Sequence, residues 1–140
     1  MVAEGQTRVL VVDDNPHVRQ IVREVLAASG MDVRECADGG AALNLLKQWR
    51  ADIALVDYEM HPVNGAQFTR EVRQSRIPGL RDMAVLMMTA HGDATRVMEA
   101  RKAGVDGLIA KPLSIGAILS RIEAVLARVR TRSHKLAKVA

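Results

Sequence analysis

The sequence predicts an α/β fold: one five-stranded parallel sheet in strand order 2-1-3-4-5, doubly wound by five helices. Short apolar runs alternate five times with segments of helical periodicity, which favours a parallel sheet covered by helices. Three of these runs are continuously apolar, as is typical of strands buried on both faces. The second run instead places valine between charged residues, and the order 2-1-3-4-5 puts this strand at an edge of the sheet.

The first unit begins with the β-branched apolar run Arg8–Val12. Asn15 and Pro16 follow, and an asparagine N-cap before a proline at the first helical position predicts where the next helix starts. This helix is expected to end at Ser29-Gly30. Its predicted buried stripe consists of Ile21, Val22, Val25 and Leu26.

The next two units repeat this pattern. Asp32–Cys36 is the alternating strand, residues 38–49 are a predicted helix, and residues 53–56 are the second continuous apolar run. A loop over residues 58–65 is expected to lead into a third helix of about ten residues. The stripe of the second helix is predicted to contain Ala42, Leu45, Leu46 and Trp49.

The last two units complete the sheet. Residues 83–88 are the third continuous apolar run, and Gly92-Asp93 is expected to open a helix that ends at Gly104. Gly107–Ala110 is the last predicted strand, and Ser114 is the expected cap of a long final helix. The stripe of that helix is predicted to contain Ile115, Ile118, Leu119, Ile122, Val125, Leu126 and Val129.

The chain of 140 residues has a length that suits one domain. We expect a short extension over residues 1–6, the domain over residues 7–130 and a basic tail over residues 131–140. No apolar run reaches the length of about 18 residues that a transmembrane helix needs, and the polar N-terminus does not resemble a signal peptide. Because the single cysteine, Cys36, cannot form an internal disulfide, the expected compartment is the cytoplasm.

The net charge of +4 has its origin at the C-terminal end. From residue 128 onward there are five basic residues and no acidic ones, whereas the rest of the chain has 15 basic and 16 acidic residues. A basic tail can contact nucleic acid or an acidic partner. A solvated helix end is the favoured interpretation, and nucleic-acid binding is not expected.

Polar residues follow four of the predicted strands. Asp13 and Asp14 come after the first strand, Asp57 after the third, Thr89 after the fourth and Lys111 after the fifth. In an open parallel sheet, ligands bind beyond the carboxyl ends of the strands, and the order 2-1-3-4-5 makes these four strands neighbours. Three carboxylates, one hydroxyl and one ammonium are therefore expected at one rim.

This set of groups suits phosphoryl transfer. Three close carboxylates repel one another, and Mg²⁺, which prefers oxygen ligands, removes that cost. A carboxylate can also act as a nucleophile and form an aspartyl-phosphate. The hydroxyl and the ammonium can hold phosphoryl oxygens, and phosphoryl transfer requires mainly positioning and charge neutralisation.

Together these segments resemble the receiver domain of two-component response regulators, in particular single-domain regulators of the chemotaxis type. The resemblance covers residues 7–128. It is carried by four short motifs at strand ends: Val11-Val12-Asp13-Asp14 followed by Asn15, Leu55-Val56-Asp57, Met87-Met88-Thr89-Ala90, and Lys111-Pro112.

The resemblance implies a flavodoxin-like receiver fold and a specific chemistry. Asp57 would accept a phosphoryl group from a phosphohistidine, with Mg²⁺ held by Asp14, Asp57 and the backbone carbonyl of Glu59, and with Asp13 assisting through water. Lys111 and Thr89 would contact the phosphoryl group. Such a domain is not a classical enzyme, although it assists its own phosphorylation and dephosphorylation.

The resemblance also implies partners. The phosphodonor would be a sensor histidine kinase or a histidine phosphotransfer protein. A receiver that stands alone, without an output domain, would act by binding a downstream protein through the face formed by helix 4, strand 5 and helix 5. Activation could also produce a homodimer, and no membrane contact is expected.

Four positions depart from the family pattern or modify it. The family has an aromatic switch residue three positions before the lysine, where this chain has Leu108, so the conformational readout is expected to differ. After the acceptor, the expected proline position is taken by His61 and the proline follows at Pro62. Glu59 and His91 occupy the two positions that influence the lifetime of the phosphoryl group in the family.

Three alternatives remain open at this point. The chain could be a scaffold that keeps the fold without phosphorylation, which Leu108 favours and the intact Asp57 and Lys111 oppose. A flavodoxin-like FMN protein would need a phosphate loop after the first strand, where the sequence is acidic instead. Nucleic-acid binding through the tail would depend steeply on salt.

Overall fold

The structure, a computed structural model, describes the backbone of residues 5–90 and 94–139 and the side chains of these residues up to 132. The strands are β1 (Arg8–Val12), β2 (Asp32–Cys36), β3 (Ile53–Asp57), β4 (Ala84–Thr89) and β5 (Gly107–Ala110). The helices in the described residues are α1 (Pro16–Ala28), α2 (Gly39–Leu46), α3 (Gly65–Arg73), α4 (Ala94–Ala103) and α5 (Ile115–Val139), with a 3₁₀ turn at Leu80–Asp82.

The strands of the described residues form one parallel sheet in the order β2-β1-β3-β4-β5, which confirms the predicted topology. The continuously apolar strands β1, β3 and β4 lie in the centre, and the alternating β2 lies at an edge. Cα partners near the strand ends are Val12 with Val56, Asp57 with Met88, and Thr89 with Ala110. The carboxyl ends of the four neighbouring strands are therefore level with one another.

The two faces of the sheet carry different helices. Val9 and Val11 of β1 point to the face covered by α1 and α5, whereas Leu10 and Val12 point to the face covered by α2 and α3. This alternation follows from the two-residue side-chain period of a strand. Both faces are buried, which explains why the central strands are apolar without interruption.

Side-chain caps fix the starts of the helices that follow β1 and β3. The Asn15 side chain accepts hydrogen bonds from the backbone N–H of His17 at 2.9 Å and of Val18 at 3.4 Å, and Pro16 opens the helix as predicted. At the start of α3, Asn64 and Gln67 bond to each other's backbone N–H in a capping box. Local side-chain hydrogen bonds therefore hold the ends of the loops that follow β1 and β3.

Some predicted boundaries are wrong by a few residues. Helix α2 ends at Leu46 rather than at Trp49, although Trp49 still packs into the core beyond the helix end. Strand β4 is shifted by one residue and contains Thr89, and the 3₁₀ turn before it was not predicted. The predicted start of the fourth helix at Gly92-Asp93 lies outside the described residues.

Two isoleucines predicted to be buried are exposed. Ile21 of α1 is 57% exposed and Ile115 of α5 is 60% exposed. In α1 the buried residues are Val22 and Leu26, four positions apart, so the stripe is narrower than predicted and Ile21 lies beside it. Ile115 lies in the first turn of α5, ahead of the point where that helix meets the sheet at Ile118.

Helix α5 continues through residue 139, so the backbone of residues 131–139 is helical. None of the helices in the described part of the chain combines the length and the apolar character that crossing a membrane requires.

Candidate functional site

The ends of β1 and β3 bring three carboxylates together. Oxygen atoms of Asp13, Asp14 and Asp57 all lie within 4.8 Å of one another. Asp13 is completely buried and Asp57 is 5% exposed, whereas Asp14 faces solvent. The cluster is thus closed on the protein side and open at Asp14, so an ion or a small substrate can approach it from solvent.

Asp13 is fixed by several hydrogen bonds. Its carboxylate accepts the backbone N–H of Asn15 at 2.9 Å, and its backbone N–H donates to the carbonyl of Cys36 at 3.2 Å. The Arg19 guanidinium donates to the carbonyl of Asp13 at 2.7 Å. No sequence motif points to Arg19 as part of the site, although its position four residues after the helix cap brings it back over the end of β1.

Lys111 joins the cluster from the end of β5. Its Nζ lies 3.2 Å from Asp13 Oδ2 and 3.3 Å from Asp57 Oδ1. Its backbone N–H donates to the carbonyl of Thr89 at 2.9 Å, and the peptide bond to Pro112 is cis. Burial by itself lowers the pKa of Lys111, but the charges of Asp57 and Asp13 outweigh it and raise the pKa above the ordinary lysine value.

Asp57 is an acid whose charge is unfavourable in this environment. Burial and the neighbouring Asp13 charge raise its pKa to about 6, although Lys111 and the backbone N–H of Glu59 act in the opposite direction. One lysine therefore does not fully compensate for two buried carboxylates. A further positive charge at the cluster would favour the ionised form of Asp57.

The donor set fits a hard divalent cation. All three side chains offer oxygen atoms, and two of the carboxylates are shielded from solvent. Mg²⁺ uses such ligands, typically one or two carboxylates together with water and phosphate oxygens. The residues present are therefore typical of a receiver-domain Mg²⁺ site.

Gly65 allows the loop that follows Asp57, residues 58–64, to fold back on itself; we call it the acceptor loop after the predicted role of Asp57. A Cβ atom at this position would lie 2.6 Å from the backbone oxygen of Asp57, which is closer than real contacts allow. The backbone N–H of Gly65 also donates to the carbonyl of Tyr58 at 2.9 Å. The glycine eight positions after Asp57 is thus required by close backbone approach rather than by an unusual φ angle.

Thr89 and Leu108 lie on neighbouring strands, where Thr89 is the register partner of Ala110 and Leu108 that of Met87. The Thr89 hydroxyl donates to the carbonyl of Ala90 at 3.2 Å, and Leu108 is half-buried in β5. Both line a groove of about 570 Å³ between α4 and β5. The other residues that line this groove are Ala90, Ala94, Val97, Met98, Ala110 and Arg121.

Glu59 is exposed, and its carboxylate pairs with Arg96 of α4. Tyr58, the residue between Asp57 and Glu59, donates a hydrogen bond from its hydroxyl to Glu99 Oε2 at 2.5 Å. No sequence pattern predicts these contacts, because they depend on how α4 is rotated against the acceptor loop. His91, predicted to influence phosphoryl lifetime, lies outside the described residues.

Comparison with known proteins identifies the same family. Residues 9–123 match the family model of the response regulator receiver domain. The chemotaxis protein CheY of Pseudomonas aeruginosa is 32% identical over 123 residues, which cover 87% of this chain and 98% of that protein. The structure of chemotaxis response regulator CheY4 of Vibrio cholerae is similar with a TM-score of 0.80 at 28% identity, covering 86% of this chain and 99% of that one.

Other relatives are longer. The phosphate regulon transcriptional regulatory protein PhoB of Escherichia coli is 32% identical over 122 residues, which cover 87% of this chain. The chain spans 52% of that protein, about half of its length.

The matched region contains the acidic cluster and Lys111, at the strand ends where the sequence predicted them. The predicted fold, a flavodoxin-like receiver fold, is confirmed by the strand order and by the structural similarity. The chain therefore belongs to the response regulator receiver domains of two-component systems, a family of phosphoacceptor domains rather than of classical enzymes.

Proposed function

We propose that this receiver domain is a phosphorylation-dependent switch in which Asp57 accepts a phosphoryl group from a phosphohistidine. The observation that carries this proposal is the position of Asp57, almost buried beside two further carboxylates and 3.3 Å from the Lys111 ammonium. An ionised carboxylate in this position is a nucleophile, and its neighbours can neutralise the charge of an incoming phosphoryl group.

Lys111 and Thr89 are the proposed phosphoryl-binding side chains. Lys111 already lies between Asp13 and Asp57, so its ammonium can hold a phosphoryl oxygen with little movement. The Thr89 hydroxyl is held by the neighbouring Ala90 carbonyl and has to turn away from it to donate to a phosphoryl group. Thr89 and Leu108 are therefore the proposed switch pair, since both line the same groove.

Asp14, Asp57 and the backbone carbonyl of Glu59 are the proposed ligands of Mg²⁺, with Asp13 assisting through water. The bound ion would supply positive charge for the carboxylates and for the phosphoryl oxygens. Glu59 and His91 are proposed to influence how long the phosphoryl group persists.

The proposed phosphodonor is a sensor histidine kinase or a histidine phosphotransfer protein, and the proposed compartment is the cytoplasm. Both proposals rest on membership of the family. The comparison with CheY of Pseudomonas aeruginosa, a chemotaxis protein, supports a function through protein–protein binding.

A downstream protein is proposed to bind the face formed by α4, β5 and α5. The apolar groove there adjoins a second one of about 360 Å³, and the two share Leu108 and Arg121. The second groove is also lined by Arg101 and Arg128. A partner segment with an apolar side chain next to acidic groups fits this face, and a homodimer formed on activation is the competing occupant.

Labelling with acetyl phosphate tests the chemistry. We expect the wild type to be labelled only when Mg²⁺ is present, and Asp57→Asn to take no label. Asp82→Asn, which alters an exposed aspartate of the 3₁₀ turn, is the matched control and should be labelled like the wild type. Asp14→Ala should weaken Mg²⁺ binding.

Two outcomes contradict the proposal. Label that persists in Asp57→Asn would move the acceptor to another residue. A wild type that takes no label would instead favour a non-phosphorylated, receiver-like scaffold that acts only by binding partners.

A further inference from the structure

Tyr58 connects the acceptor loop to α4. It follows Asp57 directly, and its hydroxyl donates to Glu99 Oε2 at 2.5 Å across the gap between the loop and the helix. Its backbone is held on two sides, because its N–H donates to the carbonyl of Met88 at 2.9 Å and its carbonyl accepts the N–H of Gly65 at 2.9 Å. The base of this side chain is thus fixed in the sheet while its tip is bound to α4.

Arg96 makes a second connection between the same two elements. Its guanidinium lies over the Tyr58 ring, 4.9 Å from the ring centroid, and forms an ion pair with Glu59. Arg96 and Glu99 are three positions apart on α4 and therefore lie on the same side of the helix. The two residues that follow Asp57 are both bound to this side of α4.

This connection lies close to the position where the switch aromatic of a receiver is replaced by Leu108. The Tyr58 ring and Leu108 pack against the same small cluster of buried residues from β4, α3 and α4. Leu108 has no hydroxyl, whereas Tyr58, the one tyrosine of the chain, has a hydroxyl that already bonds to α4. An aromatic hydroxyl is thus present beside α4, but it is carried by the acceptor loop rather than by β5.

A phosphoryl group on Asp57 changes the electrostatics of this contact. It replaces the single negative charge of the ionised carboxylate with about two negative charges at neutral pH, next to residues 58 and 59. These charges attract Arg96 and repel Glu59 and Glu99. Because Arg96 and Glu99 belong to one helix, a change in either contact acts on α4 as a whole.

We propose that Tyr58, Arg96 and Glu99 form an acceptor clamp through which phosphorylation of Asp57 repositions α4. The inference rests on the proposed function, since it requires that Asp57 takes the phosphoryl group. In this mechanism the signal leaves the site through the residue that follows the acceptor, and α4 carries it to the grooves of the binding face.

The experiment records amide NMR spectra of the full chain before and after addition of beryllofluoride with Mg²⁺, which mimics the phosphoryl group. In the wild type we expect amide shifts both around Asp57 and along α4. Tyr58→Phe keeps the ring and removes only the hydroxyl, and Glu99→Ala removes the acceptor from the helix side. In both variants the shifts along α4 should fall by about half or more, while those around Asp57 remain.

Glu71→Ala, which removes an exposed carboxylate of α3, is the control and should keep the full response of α4. The clamp is refuted if Tyr58→Phe retains the wild-type response of α4, or if α4 of the wild type does not respond to bound beryllofluoride. A wild type that neither binds beryllofluoride nor accepts label would refute the proposed function itself. A failure of the clamp alone leaves binding and labelling intact, so the two failures are distinguishable.

Discussion

Asp57 combines its proposed role as phosphoacceptor with a cost to folding. Its pKa is raised to about 6 by burial and by the Asp13 charge, whereas in an unfolded chain an aspartate titrates near its ordinary value. Between these two values the folded state binds more protons than the unfolded state, so stability falls as the pH rises. The contribution of protonated Asp57 is complete below the unfolded pKa and is lost as the pH rises through about 6.

Removing this charge is therefore expected to stabilise the domain. In the absence of divalent cations at pH 7, Asp57→Asn should raise the free energy of unfolding by about 1–2 kcal/mol. Urea unfolding in a chelator over a pH series measures this, and the difference from wild type should vanish near pH 4. Added Mg²⁺ should stabilise the wild type more than the variant. Equal free energies of unfolding for the wild type and Asp57→Asn at pH 7 without metal would contradict the conclusion that the charge of Asp57 is unfavourable.

Gly65 is a second residue whose identity is dictated by the site. Because its hydrogen atom faces the backbone oxygen of Asp57, Gly65→Ala must displace either the acceptor loop or the start of α3. We expect a loss of about 1–3 kcal/mol in unfolding free energy, the usual cost of overpacking. Acetyl phosphate labelling should become slower, since the loop that carries Glu59 shifts.

Gly116→Ala is the matched control for this substitution. Gly116 is in the first turn of α5, and apart from its chain neighbours and the adjacent helix backbone, no heavy atom of the described residues lies within 4 Å of a Cβ built there. Alanine there should be neutral or stabilise the domain by up to about 1 kcal/mol. If Gly65→Ala and Gly116→Ala show the same unfolding midpoint in urea, a Cβ atom at residue 65 does not destabilise the domain and the predicted clash is wrong.

At the scale of elements, Arg73 holds the end of the sheet opposite to the acidic cluster. Its guanidinium donates to the carbonyl of Gly104 at 2.8 Å, to that of Met83 at 2.6 Å and to Asp106 Oδ2 at 2.8 Å. The same Asp106 oxygen accepts the backbone N–H of Val85 at 2.9 Å. One side chain of α3 thus connects the end of α4 with the starts of β4 and β5.

Loss of this connection should be costly. Arg73→Ala leaves several carbonyls and a nearly buried carboxylate with fewer partners, so we expect the free energy of unfolding to fall by about 2–3 kcal/mol. Arg73→Lys should recover little, because one ammonium cannot reproduce the guanidinium fork. Arg70→Ala, an exposed arginine of the same helix, should change stability by less than about 0.5 kcal/mol. Thermal and urea unfolding of the three variants make the comparison, and similar losses at both positions would disprove this role.

At the level of the whole molecule, the acidic cluster lies at the carboxyl ends of β1 and β3, whereas the arginines of the second groove lie beside the start of β5, on the face proposed to bind a partner. The three arginines that line the second groove are exposed, whereas Asp106 in the same groove is largely buried and paired with Arg73. The face is therefore positive towards solvent. Such a surface accelerates association with an acidic partner and disfavours a close approach of two copies through the same arginines.

Arg121→Glu separates binding from phosphorylation. Arg121 lines both grooves and takes part in none of the ion pairs that the described residues form with the carboxylate cluster, so labelling should stay at the wild-type level. The affinity of the beryllofluoride-activated domain for its cognate target should fall by roughly ten-fold or more, since a charge of the binding face is reversed. Arg76→Glu carries the same charge change on an exposed residue after α3 and should bind the target normally. Unchanged target affinity in Arg121→Glu would exclude this face.

The architecture and the composition of the site follow from local features of the sequence. Apolar runs and their periods are local properties, and in a parallel sheet the carboxyl ends of neighbouring strands meet at one edge. The sequence therefore predicts that Asp13, Asp14, Asp57 and Lys111 lie together. The N-cap at Asn15 followed from local chemistry in the same way.

The exposure of individual side chains and the contacts between elements, by contrast, follow only from the assembled core. Three features depend on how each helix is rotated and shifted against the sheet. They are the exposure of Ile21, the hydrogen bond between Tyr58 and Glu99, and the hydrogen bonds that Arg73 donates. That rotation is set by the packing of the whole core, and a one-residue difference turns a helical side chain by about 100°. The raised pKa of Asp57 has the same origin, because its burial and the closeness of the Asp13 charge arise only once the strands are assembled.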